Sequence, residues 1–209
     1  MSRLPSIVRQ LLAALRALIV ITVICGIAYP LVVWGIAQTA FHKQANGSQL
    51  SSHGKVVGSS LLCQTFTDAK GNPLPRYFQP RPSAASNPKS TTDYGCNPLF
   101  SGASNLGPSN PVLVKRIGTY RQQVARFNGV SPASVPPDAV TASGSGLDPD
   151  ISPAYAYLQV NRVAAARHLS PPVVSALVTN HIQGRNLGFL GEPRVNVLEL
   201  NLALDNQAG

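Results

Sequence analysis

Charge is what this sequence has least of, and acid above all: 12% of its 209 residues are charged, with 8 acidic against 17 basic side chains. Cysteine is scarce too, with only Cys25, Cys63 and Cys96 and no C-x-x-C spacing, which removes support for a cysteine-built zinc or redox centre. His42, His53, His168 and His181 are scattered without an H-E-x-x-H or cysteine–histidine pattern, so no metal site is expected. A phosphate-cradling G-x-x-x-x-G-K-[ST] is missing, and Gly144-Ser145-Gly146 lacks the later glycine and preceding apolar strand of a dinucleotide site. No serine stands in G-x-S-x-G. An independent nucleotide-hydrolysing machine is therefore not expected, and nothing implies a cofactor held by this chain.

What is present begins with an apolar run. ALIVITVICGIAYPLVVWGIAQTAF, Ala17 to Phe41, contains no charged residue. As a helix it reaches about 37 Å, enough to cross a hydrocarbon core of about 30 Å with some tilt. A secretory signal is shorter and ends at a better cleavage site than AQTAF, so the run reads as a retained anchor. Arg3, Arg9 and Arg16 precede it without an acid, whereas His42, Lys43, His53 and Lys55 follow. That bias puts residues 1–16 in the cytoplasm, 17–41 in the membrane and 42–209 outside the cytoplasm. Pro30 removes the helical bond to the Gly26 carbonyl and is expected to kink the span. With small Gly26 and Ala28 beside it, that face is a candidate seat for a partner helix. The net charge of +9 suggests nucleic acid only until the arginines flanking the anchor and the outer location are considered; lipid headgroups or another subunit are better partners.

The outer part reads as one mixed α and β domain. QANGSQLSSHGK resembles a linker or first turn, and KVVGSSLLCQTF one or two short strands. Asp68 to Pro111 is rich in Pro, Gly, Ser and Asn, so it is either a functional surface loop or disordered; Tyr77 and Phe78 beside Arg81 argue for order. Asn110 and Pro111 open a helix whose Leu113, Ile117, Tyr120, Val124 and Phe127 share a face, while Lys115, Arg116, Arg121 and Arg126 lie on another; Asn128-Gly129 ends it. Ser152-Pro153 starts a second helix running to about His168, and Ser170-Pro171-Pro172 a third, short one through Leu177 and Val178 to His181. VNVLELNLALD alternates and is expected to be a half-buried strand central to the sheet, with Leu198, Leu200, Leu202 and Leu204 inward and Glu199, Asn201, Ala203 and Asp205 outward. Cys63 and Cys96 are either two separate thiols or a disulfide, which in the chain-entropy account is worth about 3–4 kcal/mol.

Several stretches together resemble the C subunit of the bacterial Kdp potassium-transporting ATPase: AYPLV, QANGS, YFQPRPSA, SGASNLGPSNP, VTASGSGLDPDISPAYAYLQVNRVAAAR and GEPRVNVLELNLALD, in family order from about residue 28 to 205. The resemblance implies a small single-span subunit of a bacterial inner membrane, beside a channel-like potassium-binding subunit and a P-type ATPase subunit. ATP and potassium would be handled by that complex and not by this chain. It further implies a stabilising role and a proposed function as catalytic chaperone that raises ATP affinity. One departure is Cys63, where the family usually carries glycine; a disulfide to Cys96 would be particular to this chain. Rival classes are an anchored extracytoplasmic hydrolase and a binding module for cell-envelope ligands.

From Asn128 to Val160 there is no lysine or arginine, while Asp138, Asp148 and Asp150 are all there. Carboxylates before a helix start favour its positive end. They also offer an acidic edge that could offset the basic domain's field over a cation path. The candidate contact residues are accordingly Gly26 and Pro30 in the span, Tyr77, Arg81 and Ser83 in one loop, Asn105, Ser109 and Asn110 in a second, and Asp148 and Asp150 in the acidic segment, since polar glycine- and proline-rich surfaces more often carry function than core strands do.

Overall fold

The computed structural model describes residues 5–87 and 95–207. Arg3, one of the charges used to orient the anchor, and the 88–94 part of the Pro/Ser-rich loop lie outside the described residues. The chain divides into two compact units, Met1–Ser48 and Gln49–Gly209.

The first unit is helical. Helix α1 (Ser6–Val23) continues through a π-helical turn (Ile24–Ala28) into α2 (Tyr29–Ala40), with a short α3 (His42–Ala45) after Phe41. The continuous stretch Ser6–Ala40 is long and apolar enough to cross a membrane, and none of its residues is buried within the chain. Pro30 is accommodated by the turn before it: Tyr29 N–H reaches back five residues to the Ile24 carbonyl. This wider loop of backbone is a local adjustment at the position where the lost hydrogen bond was expected to kink the helix.

The second unit is α+β. Strands β1 (Gln49–Ser52) and β2 (Lys55–Ser59) form an antiparallel hairpin in which Ser52 faces Lys55. His53 and Gly54 both have positive φ, 49° and 76°, the geometry of the tight two-residue turn that matches strand twist. β1 therefore occupies sequence that reads as linker, and strand structure stops at Ser59, short of Leu61–Phe66. Helix α4 (Pro111–Asn128) is capped by Asn110, whose Oδ1 accepts from Val112 N–H at 2.9 Å, and ends at left-handed Gly129. Its Ile117, Tyr120 and Val124 pack on the core, while Lys115, Arg116, Arg121 and Arg126 are exposed. Helix α5 (Pro153–Arg167) follows a two-residue strand β3 (Asp150–Ile151), and α6 (Pro171–Asn180) begins at its two prolines, Ser170 holding the cap position without a side-chain bond. Strands β4 (Ile182–Gln183) and β5 (Arg194–Asn196) complete a three-stranded antiparallel sheet in the order β3-β5-β4.

The terminal stretch corrects the sequence reading. Only Arg194–Asn196 is strand; Val197–Gln207 is helix α7. Asn196 caps it, its Oδ1 accepting from Glu199 N–H at 3.0 Å, so Asn196 and Glu199 mark a helix start. Val197, Leu200, Asn201 and Leu204 are buried with Leu198, a helical spacing that also fits the alternating leucines. After Val197 the run holds Leu, Glu, Ala, Asn and Asp without β-branched residues, and helix propensity with a cap outweighs the apparent alternation. The core gathers Phe78, Tyr155, Ala156, Val160, Val163, Val174, Val178, Val195, Leu200 and Leu204 from α5, α6, α7, β5 and the 76–83 segment. Cys63 and Cys96 are joined in a disulfide, which resolves the alternative left open by their spacing.

Candidate functional site

The segment 75–83 has no regular secondary structure, yet side chains hold its backbone from Pro75 to Gln79. Asn201 on α7 clasps Phe78 from both sides: its Oδ1 accepts from Phe78 N–H at 2.9 Å and its Nδ2 donates to the Phe78 carbonyl at 2.9 Å. Gln159 on α5 does the same for Gln79, accepting at 2.8 Å and donating at 3.2 Å. Both amides are buried, so each substitutes for the strand partner the segment lacks. Arg162 donates to the carbonyls of Pro75 and Tyr77 and to the Asn128 and Gln159 side chains, and lies over the Phe127 ring at 4.3 Å. Burial lowers its pKa to about 10, which still leaves it charged at neutral pH. Arg167, almost fully buried, pairs with Asp205 at 2.6 Å and lies over the Tyr77 ring at 4.8 Å.

Beyond Gln79 the 75–83 segment, a strap across the domain core, meets the acidic segment. Arg81 donates through Nη1 to Asp148 Oδ2 at 2.7 Å and through Nε to the Thr141 carbonyl at 3.2 Å. Ser83 Oγ donates to the Gly146 carbonyl at 2.5 Å and accepts from Cys96 N–H at 2.8 Å. Gly146, at φ 71°, is held so closely that a Cβ there would sit 2.7 Å from the Ala85 nitrogen and 2.7 Å from the Gly102 oxygen. Gly146 thus serves close approach of three backbone segments, with Gly102 N–H bonding Ser145 O at 2.8 Å and Cys63 N–H bonding Leu147 O at 2.9 Å, whereas Gly144 faces open space.

The three aspartates have different tasks. Asp138 takes the helix-start role: it accepts from Ser152 N–H at 2.8 Å and Ser152 Oγ at 2.9 Å, while Ser152 Oγ accepts from Tyr155 N–H at 3.0 Å. Asp148 bonds Arg81 and also accepts from Asp150 N–H at 3.0 Å. Asp150 pairs with Arg194 at 3.1 Å. Burial, and next the neighbouring Asp148 charge, push the Asp150 carboxyl above its ordinary value, against the pull of Arg194. With Glu192 these groups line a cleft of about 270 Å³. Its walls carry four carboxylates and two arginines, an acidic bias much reduced by pairing. A second hollow of about 280 Å³ shares Arg81 and is walled by Pro80, Pro82, Tyr120 and Phe127.

Of the residues singled out from sequence, Arg81, Ser83, Asp148 and Asp150 come together here. Tyr77 lies at the other end of the strap, where its hydroxyl donates to Asp205 Oδ2 at 3.3 Å. Asn110 is the α4 cap, Asn105 is exposed in the left-handed region at φ 51°, and Ser109 is exposed. Gly26 and Pro30 belong to the helical unit. Gln159, Arg162, Arg167 and Asn201 escaped the sequence reading; polar residues set among alanines, valines and leucines on two helices were the available signal. Among the described residues no group of three or more His, Cys, Asp or Glu side chains is arranged to hold a metal ion.

Fold and site together define an α+β domain following a single helix of membrane-crossing length. The sequence model of the family described as "KdpC: K+-transporting ATPase, c chain" matches residues 11–206, and the chain belongs to that family. It is 49% identical over 208 residues to the potassium-transporting ATPase KdpC subunit of Streptomyces avermitilis, across 94% of this chain and 93% of that one. Similar matches are the KdpC subunits of Geobacter sulfurreducens, 48% identical over 94% of this chain and 97% of the relative, and Methylococcus capsulatus, 50% identical over 92% and 95%.

Proposed function

We propose that this chain is the non-catalytic accessory subunit of an ATP-driven potassium uptake complex in a bacterial inner membrane. The N-terminus lies in the cytoplasm, residues 17–41 span the bilayer and residues 42–209 form the extracytoplasmic domain. The observation that carries this reading is the family match across helix and domain alike, residues 11–206. Arg9 and Arg16 on the leading turns of the helix support the orientation. The span, with no residue buried in its own chain, seats against a channel-like potassium-binding subunit and a P-type ATPase subunit, Gly26 and Pro30 lying on the contact face. The loops at 77–83 and 101–110 and the acidic segment form the outer contact surface. Only the short N-terminal part reaches the compartment that holds ATP, so the chain raises ATP affinity by stabilising the ATPase subunit and not by touching nucleotide.

The acidic cleft faces the potassium entrance on this reading and offsets the field of a basic domain. Replacing both Asp148 and Asp150 with Asn removes two charges and leaves Arg81 and Arg194 without their ion pairs. The potassium concentration for half-maximal ATPase activity should rise, most at low ionic strength. An unchanged value at every salt concentration removes the cleft from the ion path. The reading as a whole is tested by purifying the tagged chain from its native membrane in mild detergent: two larger subunits and potassium-stimulated ATPase activity should come with it. Recovery alone, or hydrolytic activity in this chain by itself, would favour an envelope-binding module or an anchored hydrolase.

A further inference from the structure

Between β4 and β5 the chain makes a finger, residues 184–193, that ends in apolar side chains. Leu187 is 83% exposed, Phe189 69% and Leu190 49%. Single exposed apolar residues elsewhere on the domain are ordinary, but three within four residues at one tip form a patch. The finger is preformed. Asn186 and Leu190 exchange backbone hydrogen bonds, each at 2.9 Å, and Gly188 N–H bonds the Arg185 carbonyl at 3.1 Å. Gly188 and Gly191 take positive φ, and Leu187 itself stands at φ 53°, a conformation in which a branched apolar side chain is disfavoured. The strain buys nothing for the core, because Leu187 touches none of it; it keeps the side chain on display.

Charge at the stem indicates the kind of surface that receives the tip. Arg185 is bonded to Glu192 at 2.7 Å and Arg194 to Asp150 at 3.1 Å. Both stem arginines are thus matched by carboxylates, and neither is left to draw anionic headgroups, the usual companion of an apolar loop that inserts into lipid. A rigid apolar knob on a neutral stem suits a dry pocket in a protein, where a few anchor side chains carry most of the affinity and preorganisation lowers the cost of binding. We infer that Leu187, Phe189 and Leu190 form an anchor that plugs an apolar pocket on the extracytoplasmic face of another subunit of the complex. The inference rests on the assembly and orientation proposed above.

A photoreactive benzoyl-phenylalanine in place of Phe189, with a second variant carrying it at Val173 on α6 as control, tests the inference in intact cells. Irradiation should join position 189, and not 173, to one of the copurifying larger subunits. A lipid adduct alone, or no protein adduct from 189 while the larger subunits still copurify, overturns the anchor. Loss of copurification by the unmodified chain would instead refute the assembly itself. In parallel, Leu187→Ser with Phe189→Ser should raise at least tenfold the amount of chain needed to restore half-maximal potassium-stimulated activity to complexes lacking it. The unfolding midpoint should stay unchanged, since both side chains are outside the core. An unaltered titration overturns the inference.

Discussion

Replacing Asn201 with Leu should be among the most damaging single changes to the outer domain, although leucine is apolar and close to asparagine in size. Asn201 is 1% exposed and Phe78 0%. The substitution deletes both hydrogen bonds of the clasp and strands the Phe78 N–H and C=O where water does not reach. Each buried orphan costs about 1–3 kcal/mol, so the expected loss is about 2–6 kcal/mol, a large share of the roughly 5–15 kcal/mol that holds a domain together. Asn201→Asp is the informative companion: it keeps an acceptor for the Phe78 N–H but sets a second oxygen against the Phe78 carbonyl. Gln122→Ala on the exposed face of α4 should cost under about 0.5 kcal/mol and serves as control. Unfolding is best followed by near-ultraviolet dichroism of the tyrosines in the detergent-solubilised chain, because the single tryptophan, Trp34, lies in the helical unit and does not report on the domain. An Asn201→Leu variant within about 1 kcal/mol of the parent would refute the claim that side-chain amides replace a strand partner for the strap.

Gly146→Ala should destabilise the domain by several kcal/mol, on the order of 2–4, because the new methyl meets two backbone atoms and the residue must hold a positive φ; thermal unfolding checks it, and a neutral effect contradicts the packing described. Reduction of Cys63–Cys96, or the double Ser variant, should cost about 3–4 kcal/mol in urea unfolding, with no change expected from reductant in the Ser variant. Asp150 supplies a pH prediction. Its carboxyl titrates higher in the folded chain than the 3.8 of the free group, so between those two values the folded state binds the extra proton. Its contribution to stability is therefore fully present below 3.8 and declines as pH rises through the folded value. Stability of the parent relative to Asp150→Asn should fall across that window on raising the pH, and a flat or rising difference refutes the shift.

Local signals made much of the domain readable. Asn110-Pro111, Ser152-Pro153 and Ser170-Pro171-Pro172 each announce a helix start because cap and proline act within one turn of chain, and the structure places α4, α5 and α6 there. The C-terminal run was misread for the same reason: Leu198, Leu200, Leu202 and Leu204 alternate, and only the Asn196 cap and the burial of Asn201 show that the period is helical. The short strands β3, β4 and β5 carry too few residues for any period to show. At the candidate site, the type of residue was legible but the pairing was not. Arg81 and Asp148 stood out as a base beside two aromatics in a proline-rich loop and an acid after glycines, yet nothing local tells that they meet, since the chain between them includes the whole of α4. Gln159 and Asn201 left only the weak signal of polar residues among apolar ones, because a buried amide and a solvated one look alike in sequence.

The helical unit shows how backbone geometry answers one part of what a proline in a span raises. Pro30 cannot donate to the Gly26 carbonyl, and in lipid an orphaned carbonyl calls for a partner from a neighbouring helix, from water or from its own chain. Tyr29 N–H bonding to the Ile24 carbonyl widens the turn ahead of the proline ring, so the chain itself supplies the accommodation. That bond fills the Ile24 carbonyl and not the Gly26 carbonyl, so it eases the fit of the ring without replacing the bond that Pro30 removes. The case for a neighbouring helix rests further on Gly26, whose side opens onto nothing nearer than a Thr22 methyl at 3.8 Å, and on a span with no buried side chain along its length. In hydrocarbon, where apolar side chains gain nothing by leaving lipid, such an open small-residue position within a π-turn would let a second backbone come close enough for dispersion to hold it.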